Sequence, residues 1–282
     1  MSIYFEKFEH ISYKDAHLYG GKSCSLGEML QAGIPVPTGF GISVEAQKEF
    51  TDKPFSDEFL DELKSLYTDL GLKRVAVRSS ALAEDSSDAS WAGQLESYLN
   101  VEFDGLEEAI RKCWDSINTE HAVSYASDKG LSKDDLLVGV AVQSMVDSEV
   151  AGVMFTVDPI QRDTSKIMIE GLYGLGEMLV QGITTPDRYI VDKASGEAID
   201  FTIEIKQQQM IYRDGKNVTE PVPDAIADRA VLREEQVVEL AKLGKKSKTI
   251  MAHHKTLNGL LRVASSTSFN LVRLPPCKLV LI

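Results

Sequence analysis

The chain has 282 residues, of which 43% are hydrophobic and 26% are charged, a composition typical of a soluble globular protein that buries a substantial core. Its 43 acidic and 30 basic residues give a formal net charge of −13, which argues against nonspecific binding to nucleic acid or to an anionic membrane. The 3 cysteines are widely spaced, and neither a signal peptide nor a membrane-spanning apolar run is visible, so we expect no disulfide framework, no zinc site and a cytoplasmic location.

The segment 20–40, GGKSCSLGEMLQAGIPVPTGF, predicts a tight turn, a helix and a strand. Gly20 and Gly21 permit the turn, and the apolar spacing that follows is helical up to Gly33. Lys22 stands in this turn before a helix, where backbone N–H groups favour an anion. From this pattern alone Lys22 is either a phosphate contact or an ordinary solvated lysine, because the GxxxxGK[ST] spacing of a P-loop is absent.

The segment 74–101, RVAVRSSALAEDSSDASWAGQLESYLNV, begins as a short buried strand and continues as an acidic, Ser-rich loop. Such a strand end is where α/β folds place ligands. Arg78 offers a planar fork of donors suited to phosphate oxygens, and the hydroxyls of Ser79 and Ser80 follow it. The alternative is an Arg78 that pairs with Glu84 or Asp85 beside a surface loop, because such ion pairs are common.

Further along the chain, apolar residues at helical spacing predict helices over 45–72 and 106–126. A nearly continuous apolar strand runs over 136–146 and contains one amide, Gln143. Since a buried amide without a partner is costly, either neighbouring backbone or a ligand must satisfy Gln143. The pattern then predicts strands at 151–158, 167–170, 188–192 and 201–205, and an amphipathic helix at 230–246.

Four of these segments resemble motifs of the phosphoenolpyruvate synthase and pyruvate phosphate dikinase family. Residues 20–40 are similar to its GGKxxxLGEM-xxxGxxVPxGF pattern, and 74–101 to VRSSA-xED-xxxxSFAGQ, with Trp91 in place of Phe. The strand around Gln143 resembles VxVQxM, and 171–191 resemble GLGExxVxGxxxPDxYxV. The resemblance implies an α+β, ATP-grasp fold in which two sub-lobes, 1–148 and 149–246, clamp a nucleotide.

The same resemblance implies a nucleotide site. In the family, residues at the matching positions contact the phosphates of ATP or line the adenine. The phosphate contacts carried over are Lys22 and Arg78, with Gly93 and Ser97 along the same path, and the adenine wall is Gln143, Ser144 and Met145. No residue of this chain is assigned as catalytic or as a metal ligand.

For function, the resemblance implies the ATP-binding domain of a phosphoenolpyruvate synthase-like phosphotransferase, which phosphorylates a histidine on a separate swivelling domain for conversion of pyruvate to phosphoenolpyruvate. The phosphohistidine and pyruvate-binding domains are absent from this chain, so whether it is an enzyme by itself is open. Two alternatives stand beside this interpretation. One is the ATP-binding domain of a rifampicin phosphotransferase, which uses the same relay, and the other is a nucleotide-binding remnant without turnover.

The tail, 247–282, contains no acidic residue, unlike the rest of the chain. The family continues there with a segment like GxPQDIEWA and a strand ending in QSRP. Both appear if the tail is back-translated and read in a shifted frame, so we infer a frameshift near Ser247 and a poorly packed, non-native tail. The alternative is a genuine, divergent C-terminus. The Glu and Gln of those motifs are the family's Mg²⁺ ligands, and Asn258 and Asn270 stand near their places. The expected result is weak ATP binding and impaired phosphoryl transfer.

Overall fold

The structure of the chain is a computed structural model that describes residues 2–82, 97–118, 137–257 and 279–281. The chain forms two compact units. The first comprises residues 1–33 and 37–145, and the second comprises 34–36 and 146–282. Each unit combines helices with a sheet, in agreement with the α+β class predicted from the sequence.

The described part of the first unit is built on a five-stranded sheet with the order β1-β2-β5-β3-β4, in which every pairing is antiparallel. The strands are β1 (Phe5–Lys7), β2 (Gly39–Ile42), β3 (Val75–Ala81), β4 (Ser97–Val101) and β5 (Val138–Ser144). The helices are α1 (Ala16–Gln31), α2 (Val44–Phe50), α3 (Asp57–Asp69) and α4 (Leu106–Asp115). Short 3-10 helices lie at Phe8–His10, Tyr13–Asp15, Phe103–Gly105 and Ser116–Asn118.

The two faces of this sheet are packed in different ways. Val75 and Val140 belong to an apolar core that also includes Phe59 of α3 and Ile110 of α4, and each fully buried side chain of this size contributes about 1.5–3 kcal/mol. The opposite face carries small residues beneath α1. A Cβ added to Gly139 would lie 2.6 Å from the carbonyl oxygen of Tyr19. Helix α1 therefore packs closely on this face where the strands carry glycine or alanine, and Arg78 and Gln143 are larger side chains of the same face.

Helix α1 begins earlier than the sequence pattern predicted. It starts at Ala16, passes Gly20 in a left-handed conformation with φ 72°, and continues to Gln31. The predicted tight turn is thus a kink inside a helix, and glycine adopts this φ without the steric cost that other residues meet. A Cβ on Gly20 would lie 2.1 Å from the carbonyl oxygen of Ser80, so the kink also needs glycine for close approach to β3.

The helical region predicted over 45–72 is two helices, α2 and α3. The break falls at Pro54, which has no backbone N–H and therefore cannot continue the helical hydrogen bonding. Helix α3 then starts after Ser56, whose hydroxyl accepts a hydrogen bond from the backbone N–H of Phe59 at 3.2 Å. The spacing predicted Phe59, Leu63, Leu66 and Leu70 on its inner face. Phe59 and Leu63 are buried together with Tyr67, whereas Leu66 and Leu70 are partly buried.

The described part of the second unit contains a five-stranded sheet with the order β12-β6-β7-β8-β9 and a separate hairpin of β10 and β11. The strands are β6 (Val150–Phe155), β7 (Lys166–Tyr173), β8 (Asp187–Asp192), β9 (Ala198–Thr202), β10 (Gln208–Arg213), β11 (Lys216–Pro221) and β12 (Leu279–Leu281). The helices are α5 (Glu177–Val180), α6 (Asp224–Ala227) and α7 (Glu234–Leu257).

A buried carboxylate organises the centre of the second unit. Asp187, at the start of β8, is fully buried and accepts hydrogen bonds from Lys206 Nζ at 2.8 Å and from the Val231 N–H at 2.8 Å. The N–H of Glu204 and the hydroxyl of Tyr189 also donate to it, at 2.9 and 3.1 Å. The PDxY motif thus contributes a buried carboxylate that connects the strand to two later segments of the chain, 204–206 and 231.

Helix α7 is longer than the predicted helix, because it runs past Ser247 to Leu257. Val237 and Leu240 are fully buried on its inner side. Leu279–Leu281 pairs in parallel with Val150–Gly152 of β6. The inferred frameshift near Ser247 and the domain boundary predicted at residue 246 stay predictions.

In the part of the chain that the structure describes, no helix has the length and apolar character needed to cross a membrane.

Candidate functional site

The candidate site lies on the face of the first unit's sheet that α1 covers. Paired residues of antiparallel strands project to the same side. Arg78 of β3 pairs with Ala141 of β5 and with Ser97 of β4, and two residues along the strands Ala76 pairs with Gln143. The side chains of Arg78, Ser97 and Gln143 therefore share one face, although the three residues come from three different strands.

Lys22 is brought to this face by the kink in α1. Its backbone N–H donates to Ser80 Oγ at 3.0 Å, and the N–H of Ser23 donates to the same oxygen at 3.3 Å. The Lys22 ammonium donates to the carbonyl oxygen of Ser79 at 2.8 Å. Two consecutive residues of β3, directly after Arg78, thus hold both the backbone and the side chain of Lys22. Lys22 of α1 is therefore held against β3, the strand that carries Arg78, although the two cations were predicted from separate motifs.

Gln143 is the most unusual polar side chain on this face. It is fully buried, with 0% of its surface exposed. Among the residues that the structure describes, neither its Oε1 nor its Nε2 has a hydrogen-bond partner. Such a group costs about 1–3 kcal/mol when it is left unsatisfied. An amide in this state fits a ligand that accepts one hydrogen bond and donates another, as the edge of a nucleobase does.

The other two residues predicted for the adenine wall are placed differently from Gln143. Ser144 pairs with Val75, so its side chain projects from the opposite face of the sheet. Its backbone N–H donates to the Thr38 carbonyl oxygen at 2.8 Å, and that of Met145 donates to the Arg74 carbonyl oxygen at 2.9 Å. The side chain of Ser144 therefore does not share the face that carries Arg78, whereas that of Gln143 does.

The hydroxyl pair after Arg78 is divided between the two faces. Ser80 faces α1, whereas the Ser79 hydroxyl lies 3.2 Å from Ser116 Oγ at the end of α4. Ser116 Oγ in turn donates to the Cys113 carbonyl oxygen at 2.7 Å. Because side chains alternate along a strand, the hydroxyls of Ser79 and Ser80 are expected on opposite faces of the sheet, but the sequence does not indicate which of them contacts Lys22. The contact between Ser80 and the kink was therefore missed from the sequence.

The chemistry of this face follows from its few polar groups. Lys22 and Arg78 are its cations, and Arg78 is half-buried. Tyr19 comes directly before the kink, and burial raises its pKa to about 12, so it adds no charge at neutral pH. An ammonium, a guanidinium and an amide can bind an anion together with a hydrogen-bonding ring. A nucleotide contains both, because its phosphates are anions and its base is a hydrogen-bonding ring.

Several predicted residues cannot be placed. Gly93, the acidic residues Glu84 and Asp85, and the tail residues Asn258 and Asn270 lie outside the ranges that the structure describes. Within those ranges, no three His, Cys, Asp or Glu side chains are grouped so that they could hold a metal ion. The thiols of Cys24 and Cys113 are buried. The predicted Mg²⁺ requirement and its ligands stay predictions.

Comparison with known sequences agrees with a nucleotide site. Residues 43–257 match the family described as "Pyruvate phosphate dikinase, AMP/ATP-binding domain". A probable phosphoenolpyruvate synthase of Methanothermobacter thermautotrophicus is 34% identical over 87% of this chain and 42% of its own length. The phosphoenolpyruvate synthase of Pyrococcus furiosus is 31% identical, over 85% of this chain and 39% of its own length.

The length of the match differs among the relatives. A probable phosphoenolpyruvate synthase of Methanocaldococcus jannaschii is 32% identical over 84% of this chain, but only 24% of that protein is covered. The chain therefore spans less than half the length of these curated relatives. Activities that need the remainder of those proteins do not follow from the similarity alone.

Proposed function

Because this chain belongs to the family of pyruvate phosphate dikinase AMP/ATP-binding domains, as its motifs predicted, we propose that it is the ATP-binding part of a phosphoenolpyruvate synthase-like phosphotransferase. We further propose an ATP-grasp arrangement for its fold. ATP would serve as the phosphoryl donor, and a histidine on a separate swivelling domain would be the first acceptor. Pyruvate is the final acceptor that we propose, from the names of the relatives.

The polar residues of the α1 face have distinct roles in this proposal. Lys22 and Arg78 contact the phosphates, with Gly93 and Ser97 along the same path. The Lys22 ammonium has three donors, one of which it gives to the Ser79 carbonyl oxygen. Arg78 supplies a planar pair of donors that matches two phosphate oxygens.

The base is placed by the end of β5. Gln143 offers one acceptor and two donors to the edge of the adenine, and we propose that the backbone of Ser144 and Met145 continues this wall. The amide of Gln143 is fully buried and has no hydrogen-bond partner among the described residues, and this observation carries the proposal. Such an amide is costly without a ligand, and a nucleobase satisfies it.

The remaining parts of the reaction are inferred from the family. Bound Mg²⁺ would neutralise the charge that develops on the phosphate oxygens during transfer. If the frameshift inference holds, the acidic and amide ligands for Mg²⁺ are missing from the tail, and ATP binding persists while phosphoryl transfer is slow. A cytoplasmic location also belongs to this proposal.

Titration calorimetry of the 282-residue chain with ATP, with and without Mg²⁺, tests the binding step. We expect saturable binding of ATP that Lys22→Met weakens. Titration with inorganic phosphate alone is the control, since a site that also holds the base prefers the nucleotide. A chain that shows no saturable ATP binding would overturn the proposed function.

Phosphoryl transfer is tested separately. The chain is mixed with the isolated histidine domain of a relative and with ATP labelled on the transferred phosphate. We expect phosphohistidine to form orders of magnitude more slowly than with the intact ATP-binding domain of that relative, since metal-assisted charge stabilisation contributes several kcal/mol. A rate equal to that of the intact domain would contradict the inferred loss of the Mg²⁺ ligands but not the binding of ATP.

A further inference from the structure

We propose that Ser80 is the positioning residue that holds Lys22 in its phosphate-binding orientation. This inference rests on the proposed function, because it assigns Ser80 a role through Lys22 and no direct contact with the nucleotide. Ser80 is fully buried, and its hydroxyl oxygen accepts two hydrogen bonds, from the N–H groups of Lys22 and Ser23. The Ser80 side chain thus holds the backbone of Lys22 in place.

The kink in α1 is shaped around this serine. Gly20 has φ 72°, and a Cβ placed on it would lie 2.1 Å from the Ser80 carbonyl oxygen and 2.6 Å from Ser80 Oγ. No side chain fits between the kink and the strand, so the backbone of residues 20–23 lies directly against Ser80. The helix restarts after the kink, and the Ser80 hydroxyl satisfies two of the N–H groups that a helix start leaves without an internal partner.

This arrangement changes what can bind an anion at the start of the helix. The sequence pattern indicated that the N–H groups of the turn would favour a phosphate. In the structure a neutral hydroxyl already accepts from two of them. The phosphate contact is therefore left to the Lys22 side chain, whose ammonium is aligned along β3 by its hydrogen bond to the Ser79 carbonyl oxygen.

The two tethers act at opposite ends of the same residue. Ser80 holds the main chain of Lys22, and the carbonyl of Ser79 holds its ammonium. Arg78 directly precedes both on β3, so the strand sets the spacing between the two cations. Losing the Ser80 hydroxyl leaves two buried N–H groups without their acceptor and frees the kink to shift, which moves the ammonium away from Arg78.

A double-mutant cycle tests the role. ATP dissociation constants are measured by calorimetry for the wild-type chain, Ser80→Ala, Lys22→Met and the double variant. We expect Ser80→Ala to weaken ATP binding by about tenfold in the wild-type background. In the Lys22→Met background the same change should weaken binding by less than about twofold, because a residue that acts through Lys22 has nothing left to position.

Ser43→Ala is the matched control for a purely structural effect. Ser43 is also fully buried in the first unit, and its hydroxyl donates to the Ile3 carbonyl oxygen at 2.7 Å. We expect Ser43→Ala to lower the melting temperature while ATP affinity stays at the wild-type value. If Ser80→Ala does not fold, Ser80→Cys replaces it in the cycle, because the thiol keeps the shape and is a weaker acceptor.

The outcomes separate this inference from the function on which it rests. Wild-type binding that Lys22→Met weakens, together with equal effects of Ser80→Ala in both backgrounds, overturns the positioning role alone. Tighter ATP binding by Ser80→Ala also overturns it, since the released N–H groups would then be the better anion site. A wild-type chain without ATP affinity overturns the proposed function and this inference together.

Discussion

Asp187 and Lys206 form an ion pair of 2.8 Å in which neither side chain is more than 1% exposed. The Lys206 ammonium also donates to the Arg229 carbonyl oxygen at 2.6 Å. Removing one member of such a pair leaves the other charge buried without compensation. The pair therefore connects β8 to the segment before α7 at a position where water cannot replace a lost partner.

Lys206→Met should lower the free energy of unfolding of the second unit by about 3–5 kcal/mol, the range found for broken buried pairs. Urea unfolding followed by circular dichroism measures the change. Lys242→Met is the control, because Lys242 is an exposed residue of α7 and its loss should change stability little. If Lys206→Met lowers the free energy of unfolding no more than Lys242→Met does, the stabilising role of the buried ion pair is contradicted.

Arg78→Ala should weaken ATP binding by about 1.5–3 kcal/mol, the scale of a lost charge-assisted hydrogen bond. Calorimetry with ATP measures it. Arg233→Ala removes an arginine whose side chain is 59% exposed in the second unit, and so controls for the change in net charge. Equal affinities of the two variants would remove Arg78 from the proposed site.

Gly20→Ala should destabilise the first unit by more than Gly71→Ala. Both glycines have positive φ, 72° and 63°, so alanine meets a conformational cost of about 1–2 kcal/mol at each. Around Gly71 no atom lies within 4 Å of an added Cβ, whereas at Gly20 the Ser80 carbonyl oxygen lies 2.1 Å away. Thermal unfolding measures the loss of stability in each variant. Equal losses would show that the Gly20 kink can shift away from β3, so that the clash with Ser80 adds no cost.

Gln143→Leu should leave the ligand-free protein as stable as the wild type or more so, because it removes a buried amide without a partner. The same change should weaken ATP binding by about tenfold. Gln47→Leu is the matched control, since Gln47 Oε1 accepts from the Val138 N–H at 2.9 Å and its loss should cost about 1–3 kcal/mol. If both variants lose stability equally, Gln143 is satisfied within the protein.

Glu170→Gln should stabilise the second unit at about pH 8 and have little effect at about pH 4. Burial raises the pKa of Glu170, so the folded state holds its proton to higher pH than the unfolded chain does. Stability is therefore lost as the pH rises from the ordinary glutamate value through the raised pKa. Melting temperatures at both pH values measure this, with the exposed Glu239→Gln as control. A gain that is the same at both pH values would contradict it.

Local patterns predicted a large part of the fold. The strand at Val138–Ser144 and the buried stripe of α3 follow from apolar residues that recur with the period of a strand or a helix. The limits of elements were less accurate, because a Pro and a capping Ser divide α2 from α3, and tertiary contact with β3 sets the kink in α1.

The sequence by itself determined the family and the residue types of the candidate site. Lys22, Arg78 and Gln143 were recognised because each sits in a short motif whose spacing is local. Only the tertiary structure decided that Ser80 and not Ser79 meets the Lys22 backbone, and that the Gln143 amide has no partner among the described residues. Both depend on which face of β3 and β5 lies under α1. That choice is made by packing between segments 58 or more residues apart along the chain, and no local pattern encodes it.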